Sequence, residues 1–227
     1  MHTQTVEAAT WWARSRGATA SNWVATYQKS LQSRHRDVIV QAVRSVPDVT
    51  SVLEVGSHCG PNLIRIAQAC PGIGQLTGID VNAEAVTAGN RWVSSLGLSE
   101  RIALMDGRVP DKTSELPDGC VDVVLSCYAL AYIAPADLDA VLYEMGRLAK
   151  RALVLAEPMT QGTEPSRAKA SLSDYREWAH NYQAASRWIN TWRGCQLRVE
   201  TVTPPVDQLS AVLVAARANM PSEDRIS

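Results

Sequence analysis

From Val52 to Gly60 the chain reads Val-Leu-Glu-Val-Gly-Ser-His-Cys-Gly, an apolar run with an acid near its end, followed by Gly-x-x-x-Gly. A short, near-continuous apolar run fits a strand buried on both faces, as in a parallel sheet. The glycines mark the tight turn by which such a strand enters a helix. The arrangement recurs along the chain. Gln75–Ile79 and Arg101–Met105 are strand-like and lead into Asp80 and Asp106, and Val121–Ser126 and Leu153–Ala156 supply two more apolar runs. Between them lie helical segments. One runs over 60–70. A second is capped by Asn82, carries Ala83, Val86, Asn90 and Val93 at helical spacing, and ends near Gly97. A third begins at Pro135 and reaches Ala149. Strand and helix alternating in this way predict an α/β fold: Rossmann-like, doubly wound, with right-handed crossovers. Gln196–Val202 and Ala211–Ala216 complete a mostly parallel seven-stranded sheet.

A chain of 227 residues can bury one sizeable core. The expected organisation is a single domain. It has a helical N-terminal lid over 1–46, a core over 50–158, a cap helix within 159–195 and C-terminal strands over 196–217, with 218–227 as a frayed tail. Within 1–46 the helical pattern breaks near Arg16-Gly17, and Ser21 or Asn22 caps a new start. The formal net charge of −1 and the lack of a Lys/Arg block argue against a nucleic-acid partner. The five cysteines are odd in number and contain no C-x-x-C pair, so they read as reduced thiols of a cytoplasmic protein, with no metal centre. No signal peptide and no run of about 20 apolar residues is present, so no membrane association is expected.

The acids narrow the ligand. Asp80 follows Gly60 by twenty residues and ends the second strand, where a carboxylate accepts from both ribose hydroxyls. Asp106 ends the third strand, within reach of an adenine amino group. Glu54 is a buried acid that needs donors. A dinucleotide fingerprint from Gly56 would need glycine where His58 and Pro61 stand, and no Gly-Lys-Ser/Thr exists for a Walker A loop. A ligand with adenosine but without phosphates fits better.

In these segments the chain resembles the class I S-adenosylmethionine-dependent methyltransferases, of the small type 11/25 kind. Leu53 to Gly60 resembles their first motif, Gly78-Ile79-Asp80-Val81 the second, Met105-Asp106-Gly107 the third and Val121 to Ser126 the fourth. The resemblance covers 50–158 and extends to the C-terminal strands by topology. It implies S-adenosylmethionine as cofactor. Glu54, Gly56 and Gly60 would shape the methionine side, and Asp80 would hold the ribose. Val81 would pack on adenine, Asp106 would take its amino group, and Gly107 would offer a backbone amide. Ser126 would offer its carbonyl to the cofactor's amino group. His58 stands where such families usually carry glycine, and it either contacts the methionine carboxylate or is a surface-facing turn residue. Tyr27 or Arg34 either reaches the same carboxylate or belongs to a helix with a solvated basic face. Cys59 either has a lowered pKa at a helix N-terminus or is a small packing residue.

Methyl transfer from a sulfonium relies on alignment more than on a fixed catalytic group. Two regions are candidates for closing over the cofactor. Tyr128 and Tyr132 follow the fourth strand, where they face substrate or simply pack. A helix over 174–193 would carry Tyr175, Trp178, Tyr182, Ala185, Ile189 and Trp192 on one stripe, either a core face or a substrate cap. His180, off that stripe, is a candidate base or a solvated histidine. The expected role assignment is Tyr128 and His180 for catalysis, with Tyr132 and Trp178 for substrate. The first function expected is methylation of an oxygen or nitrogen on a small molecule, a natural product or sugar-like metabolite. The second is methylation of RNA or protein. A third is a cofactor-binding module without turnover. The segment Ser126-Cys127-Tyr128-Ala129 departs from the Asn/Asp-Pro-Pro-Tyr/Phe of amino-methylating DNA enzymes. The oligomeric state is left open, a homodimer among the options.

Overall fold

The computed structural model describes residues 3–14, 25–160, 166–167, 177–182, 195–206 and 209–217. Helix α1 spans Thr3–Arg14, residues 25–29 are helical, and α2 spans Arg34–Arg44. Five parallel strands follow: β1 (Ser51–Val55), β2 (Gln75–Asp80), β3 (Ile102–Asp106), β4 (Val121–Cys127) and β5 (Ala149–Ala156). Helices α3 (Pro61–Ala69), α4 (Ala83–Ser95) and α5 (Pro135–Leu148) connect them. A short antiparallel pair, β6 (Ser166–Arg167) and β7 (Trp178–Ala179), lies outside the main sheet. The strands β8 (Cys195–Val206) and β9 (Leu209–Arg217) join the main sheet, which has seven strands in the order β3-β2-β1-β4-β5-β9-β8. β9 runs antiparallel to both β5 and β8. The order reverses between β1 and β4, and a doubly wound sheet opens its ligand crevice at such a switch, at the carboxyl ends of the strands.

Side chains alternate faces along each strand, and the core divides accordingly. Val52, Leu76, Val123, Leu125, Val154, Val212 and Val214 meet α2, α3 and α4 on one face. Leu53, Val124, Leu153, Leu155, Leu213 and Ala215 meet α5 on the other. Both faces are covered, which is why the strands read as continuous apolar runs rather than as alternating ones.

Two helix starts follow the expected chemistry. Asn82 caps α4 by accepting from the Ala85 amide, and Pro135 occupies the first turn of α5. Gly89, within α4, packs on the turn after β1. A Cβ there would stand 2.5 Å from Leu104 Cδ1 and 2.7 Å from the Cys59 carbonyl oxygen. Gly89→Ala gains about 1 kcal/mol of helix propensity. It loses about 1–3 kcal/mol to overpacking, because backbone cannot rotate aside as a side chain can. A net destabilisation of up to about 2 kcal/mol is expected, read as a lowered urea midpoint at unchanged slope; a raised midpoint would refute the close approach.

The expected helix over 174–193 does not form in its described part. Trp178–Ala179 pairs with Ser166–Arg167, and His180 bridges to Met159. Pairing with the preceding segment, together with burial of Glu177, Ala179, His180 and Tyr182, overrides the helical spacing of the aromatics. Tyr175, Ala185, Ile189 and Trp192 lie outside the described residues, as do the break near Arg16-Gly17, its candidate caps Ser21 and Asn22, and the tail.

Candidate active site

At the end of β1 the chain turns through three left-handed residues, Gly56 (φ 76°), His58 (φ 49°) and Gly60 (φ 76°). Gly56 is required on two grounds. Its φ is positive, and a Cβ there would stand 2.2 Å from Ala129 Cβ. His58 accepts the unusual backbone as histidine does more readily than branched residues. Its amide donates to Asp80 Oδ2 at 2.8 Å, and the Asn82 amide donates to Asp80 Oδ1 at 2.8 Å. Asp80 is thereby fixed against the turn at the end of β2, with burial raising its carboxyl above the ordinary range against the pull of these two amides. Asp106 is the register partner of Asp80 on β3 and is exposed, and Val81 is half-buried beside them.

Glu54 is 0% exposed. Its Oε1 accepts from Asn62 Nδ2 at 2.7 Å, and Asn62 Oδ1 in turn accepts from Arg36 Nη1 at 2.6 Å. Burial pushes the Glu54 carboxyl up to about 7, against the lowering effects of Asn62 and Arg36. Arg36, at 5% exposure, also donates to the Ser30 carbonyl and hydroxyl and lies 5.4 Å from the Tyr27 ring centroid. Tyr27 meets the His58 ring edge-to-face at 5.0 Å. The inward arginine of the 34–36 cluster is thus Arg36, while Arg34 is exposed. His58 is 7% exposed and not surface-facing, and burial lowers its pKa to about 4, leaving a neutral ring at pH 7. Cys59 is a packing residue, its thiol pushed up to about 12 by burial.

Glu54 Oε2 at the end of β1, and Ser57 Oγ and His58 Nδ1 in the turn that follows, are buried side-chain atoms without hydrogen-bond partners. Buried polar groups are almost always paired, so three orphans in five residues mark a place built for a polar ligand. Together they offer a carboxylate oxygen, a hydroxyl and an imidazole nitrogen, a donor set suited to the amino and carboxylate groups of an amino-acid moiety.

Three residues assigned roles from the sequence already have partners within the fold. The Gly107 amide donates to the Asp80 carbonyl at 2.8 Å, so β2–β3 pairing has already taken the amide assigned to adenine. His180 is 1% exposed rather than solvated, and its Nε2 lies 3.1 Å from the Ile133 carbonyl, a contact in which only the ring can donate. That geometry suits a strut between the 177–182 segment and the stretch after β4. Tyr128 adopts a left-handed backbone (φ 55°), stacks on His35 at 5.5 Å and packs on the α2/α3 face of the core.

On the other side of the turn, Tyr132 lies in a short 3-10 helix, Leu130–Tyr132. Its hydroxyl donates to Glu177 Oε1 at 2.9 Å, and its ring meets Trp12 of α1 at 5.3 Å. Trp178, half-buried, stacks on His180 at 6.4 Å. Thr5 Oγ1 accepts from the Ala134 amide at 2.9 Å and fastens α1 over this end of the sheet.

A residue not singled out from the sequence organises the region. Glu157, just after β5, is 1% exposed. Its Oε1 accepts from Ser126 Oγ (2.7 Å), the Ala129 amide (3.0 Å) and the Leu130 amide (3.2 Å), and its Oε2 from the Ala131 amide (3.2 Å). Burial pushes this carboxyl up to about 7 against the pull of those donors. Among the described residues, no His/Cys/Asp/Glu group is placed to hold a metal ion, and no helix is long and apolar enough to cross a membrane.

Residues 52–152 match the family model of a methyltransferase domain. The fold is similar to that of magnesium protoporphyrin IX methyltransferase from Synechocystis PCC 6803 with bound S-adenosylhomocysteine, at 18% identity and a TM-score of 0.66, covering 95% of this chain and 100% of that one. It is also similar to an O-methyltransferase family protein from Burkholderia thailandensis, at 14% identity and a TM-score of 0.64, over 86% of this chain and 59% of that one. A third similar structure is the [4+2]-cyclase SpnF, at 15% identity and a TM-score of 0.62, over 81% and 80% of the two chains. A comparison with curated proteins returns no match.

Proposed function

We propose that this chain, whose residues 52–152 match the model of a methyltransferase domain, is a class I S-adenosylmethionine-dependent methyltransferase that methylates an oxygen or nitrogen atom of a small molecule. The observation that carries the small-molecule reading is the enclosure beside the turn. Tyr132, which follows β4, and the buried Glu177 stand together with Trp12 of α1, a helix fastened by Thr5 to Ala134. An aromatic wall with one part-buried polar pair suits a compact organic acceptor. A formal charge of −1 gives no broad attraction to a polyanion.

When bound, S-adenosylmethionine supplies a methyl group already activated as a sulfonium. The residues present fit it. Asp80 would hold the ribose diol and Asp106 the adenine amino group, with Val81 against the ring. Glu54 Oε2 and the Ser126 carbonyl would receive the amino group, while Tyr27 and His58 border the methionine side. Tyr132, with Trp12, would orient the acceptor and exclude water. Alignment of this kind supplies much of the rate of an in-line displacement. The acceptor's own proton is lost as the new bond forms, and Glu177, bonded to the Tyr132 hydroxyl, is a carboxylate placed beside that ring.

The reading is tested by calorimetry with S-adenosylmethionine and S-adenosylhomocysteine, with NADH as control, and then by transfer of a labelled methyl group to a panel of small phenols, alcohols and amines. Micromolar binding of the sulfur ligands and label on a small acceptor are expected. Label on bulk RNA or protein instead would favour the macromolecular reading. Binding without transfer to any acceptor would favour a module that keeps the cofactor and has lost turnover, or one that runs other chemistry. The fold-level likeness to a cyclase gives that last outcome a concrete precedent.

A further inference from the structure

Arg36 donates to Asn62, and Asn62 donates to Glu54, all three buried. The chain of bonds has a fixed polarity. A guanidinium has no acceptor, so the Asn62 amide must turn its oxygen toward Arg36 and its nitrogen toward Glu54. Glu54 Oε1 is then committed as an acceptor, and a proton on Glu54 belongs on Oε2, the oxygen without a partner. The arginine is itself held by Ser30 and faces the Tyr27 ring, so its direction is set independently of Glu54.

We propose that Arg36 is a positioning residue for the ammonium group of the bound cofactor: acting through Asn62, it holds Glu54 so that a proton and that ammonium compete for the single oxygen Oε2. The inference rests on the cofactor reading above. The charged and titratable groups around Glu54 agree with such a competition. Arg36 from α2 favours the carboxylate, whereas Asp80 at the end of β2 and Glu157 after β5 disfavour it, and the Cys127 thiol at the end of β4 lies close by. Burial dominates and places the carboxyl at about 7, where a one-proton competition changes affinity within an accessible pH range. The sign is set by the acid: ammonium binding is full where Glu54 is ionised, above its pKa, and fades as pH falls through it.

The test compares two probes by calorimetry between about pH 5.5 and 8.5. S-adenosylhomocysteine carries the ammonium, and 5′-methylthioadenosine keeps the adenosine and lacks the amino acid. For the unaltered protein, S-adenosylhomocysteine affinity should fall roughly tenfold per pH unit below about 7, while methylthioadenosine affinity stays level. Glu54→Gln should bind S-adenosylhomocysteine weakly and without pH dependence. Arg36→Met removes the charge and the amide's anchor. Its midpoint should move up by about one unit, giving roughly fivefold weaker binding at neutrality, approaching roughly tenfold about one unit below it, and converging on the unaltered protein at the alkaline end. Arg36→Lys should recover part of that shift. It also serves as the readout if Arg36→Met does not fold, since a midpoint unchanged in Arg36→Lys would then count against the relay. A uniform loss at every pH in Arg36→Met would make the arginine merely structural and overturn the proposal. A methylthioadenosine curve that follows the S-adenosylhomocysteine curve would also overturn it, by placing the proton elsewhere. Failure of both probes to bind at the alkaline end would sink the cofactor reading itself, a result distinct from any change of slope.

Discussion

Glu157→Ala is expected to lose about 3–5 kcal/mol of folding stability, the largest single loss foreseen for this chain. The carboxylate receives three backbone amides and the Ser126 hydroxyl, and removing it strands four donors in a buried region. Each stranded donor costs about 1–3 kcal/mol, reduced here because water can enter the space left behind. Glu157→Gln should cost less, about 1–2 kcal/mol, since the amide oxygen can keep the three bonds at Oε1 and only the Ala131 amide then faces another donor. Urea midpoints at constant slope would show the order Glu, Gln, Ala. Equal stability of Ala and Gln would show that the network is not what holds the residues after β4.

Asp80→Ala is expected to weaken S-adenosylhomocysteine binding by about 1–3 kcal/mol, roughly 5- to 150-fold. Two effects act in the same direction. On the proposed placement the ribose hydroxyls lose their acceptor, and the amides of His58 and Asn82 lose theirs, so the turn between β1 and α3 is no longer tied to β2. Asp80→Asn separates the two, because one oxygen remains to accept from one amide while the second position becomes a donor. It should fall between aspartate and alanine in stability without ligand, yet stay close to alanine in affinity. Calorimetry reads the affinity and thermal unfolding reads the rest. An unchanged dissociation constant in Asp80→Ala would remove this residue from the ligand.

The sheet was legible because each central strand carries its own punctuation. A near-continuous apolar run meets an acid or a glycine turn, and burial on both faces leaves no room for another pattern. Arg36 was legible in principle. It stands at helical spacing with the buried Ile39, Val40 and Val43, at the head of an apolar stripe, so its neighbours place it on the inner face despite its charge. Its location beside Arg34 disguised this, since a basic pair usually marks a solvated face. Glu157 gave no such sign, because its partners are amides of residues about thirty positions earlier, and no local pattern encodes a long-range cap. The pairing of the Gly107 amide was hidden for the same reason: whether an amide is free depends on the neighbouring strand's carbonyl. The aromatics near 178–182 misled for the opposite reason, since good helical spacing lost to pairing with a segment that carries no strong strand signal.

The position of β9 constrains the order in which this protein is made. Its residues, Leu209–Arg217, sit between β5 and β8 although they leave the ribosome after both. During synthesis β5 can pair with β4 while its other edge stays open, and β8 has no permanent place on that edge because β9 will later occupy it. The two late strands are separated by two residues in the sequence and are paired along most of their length. The natural solution is for them to form a hairpin first and dock as one piece, since local contacts cost least to close. Completion of the sheet is therefore a late event in the life of each chain. Until it occurs, the nascent molecule displays an open strand edge beside an already formed ligand crevice, and it is most exposed to unwanted partners in that interval.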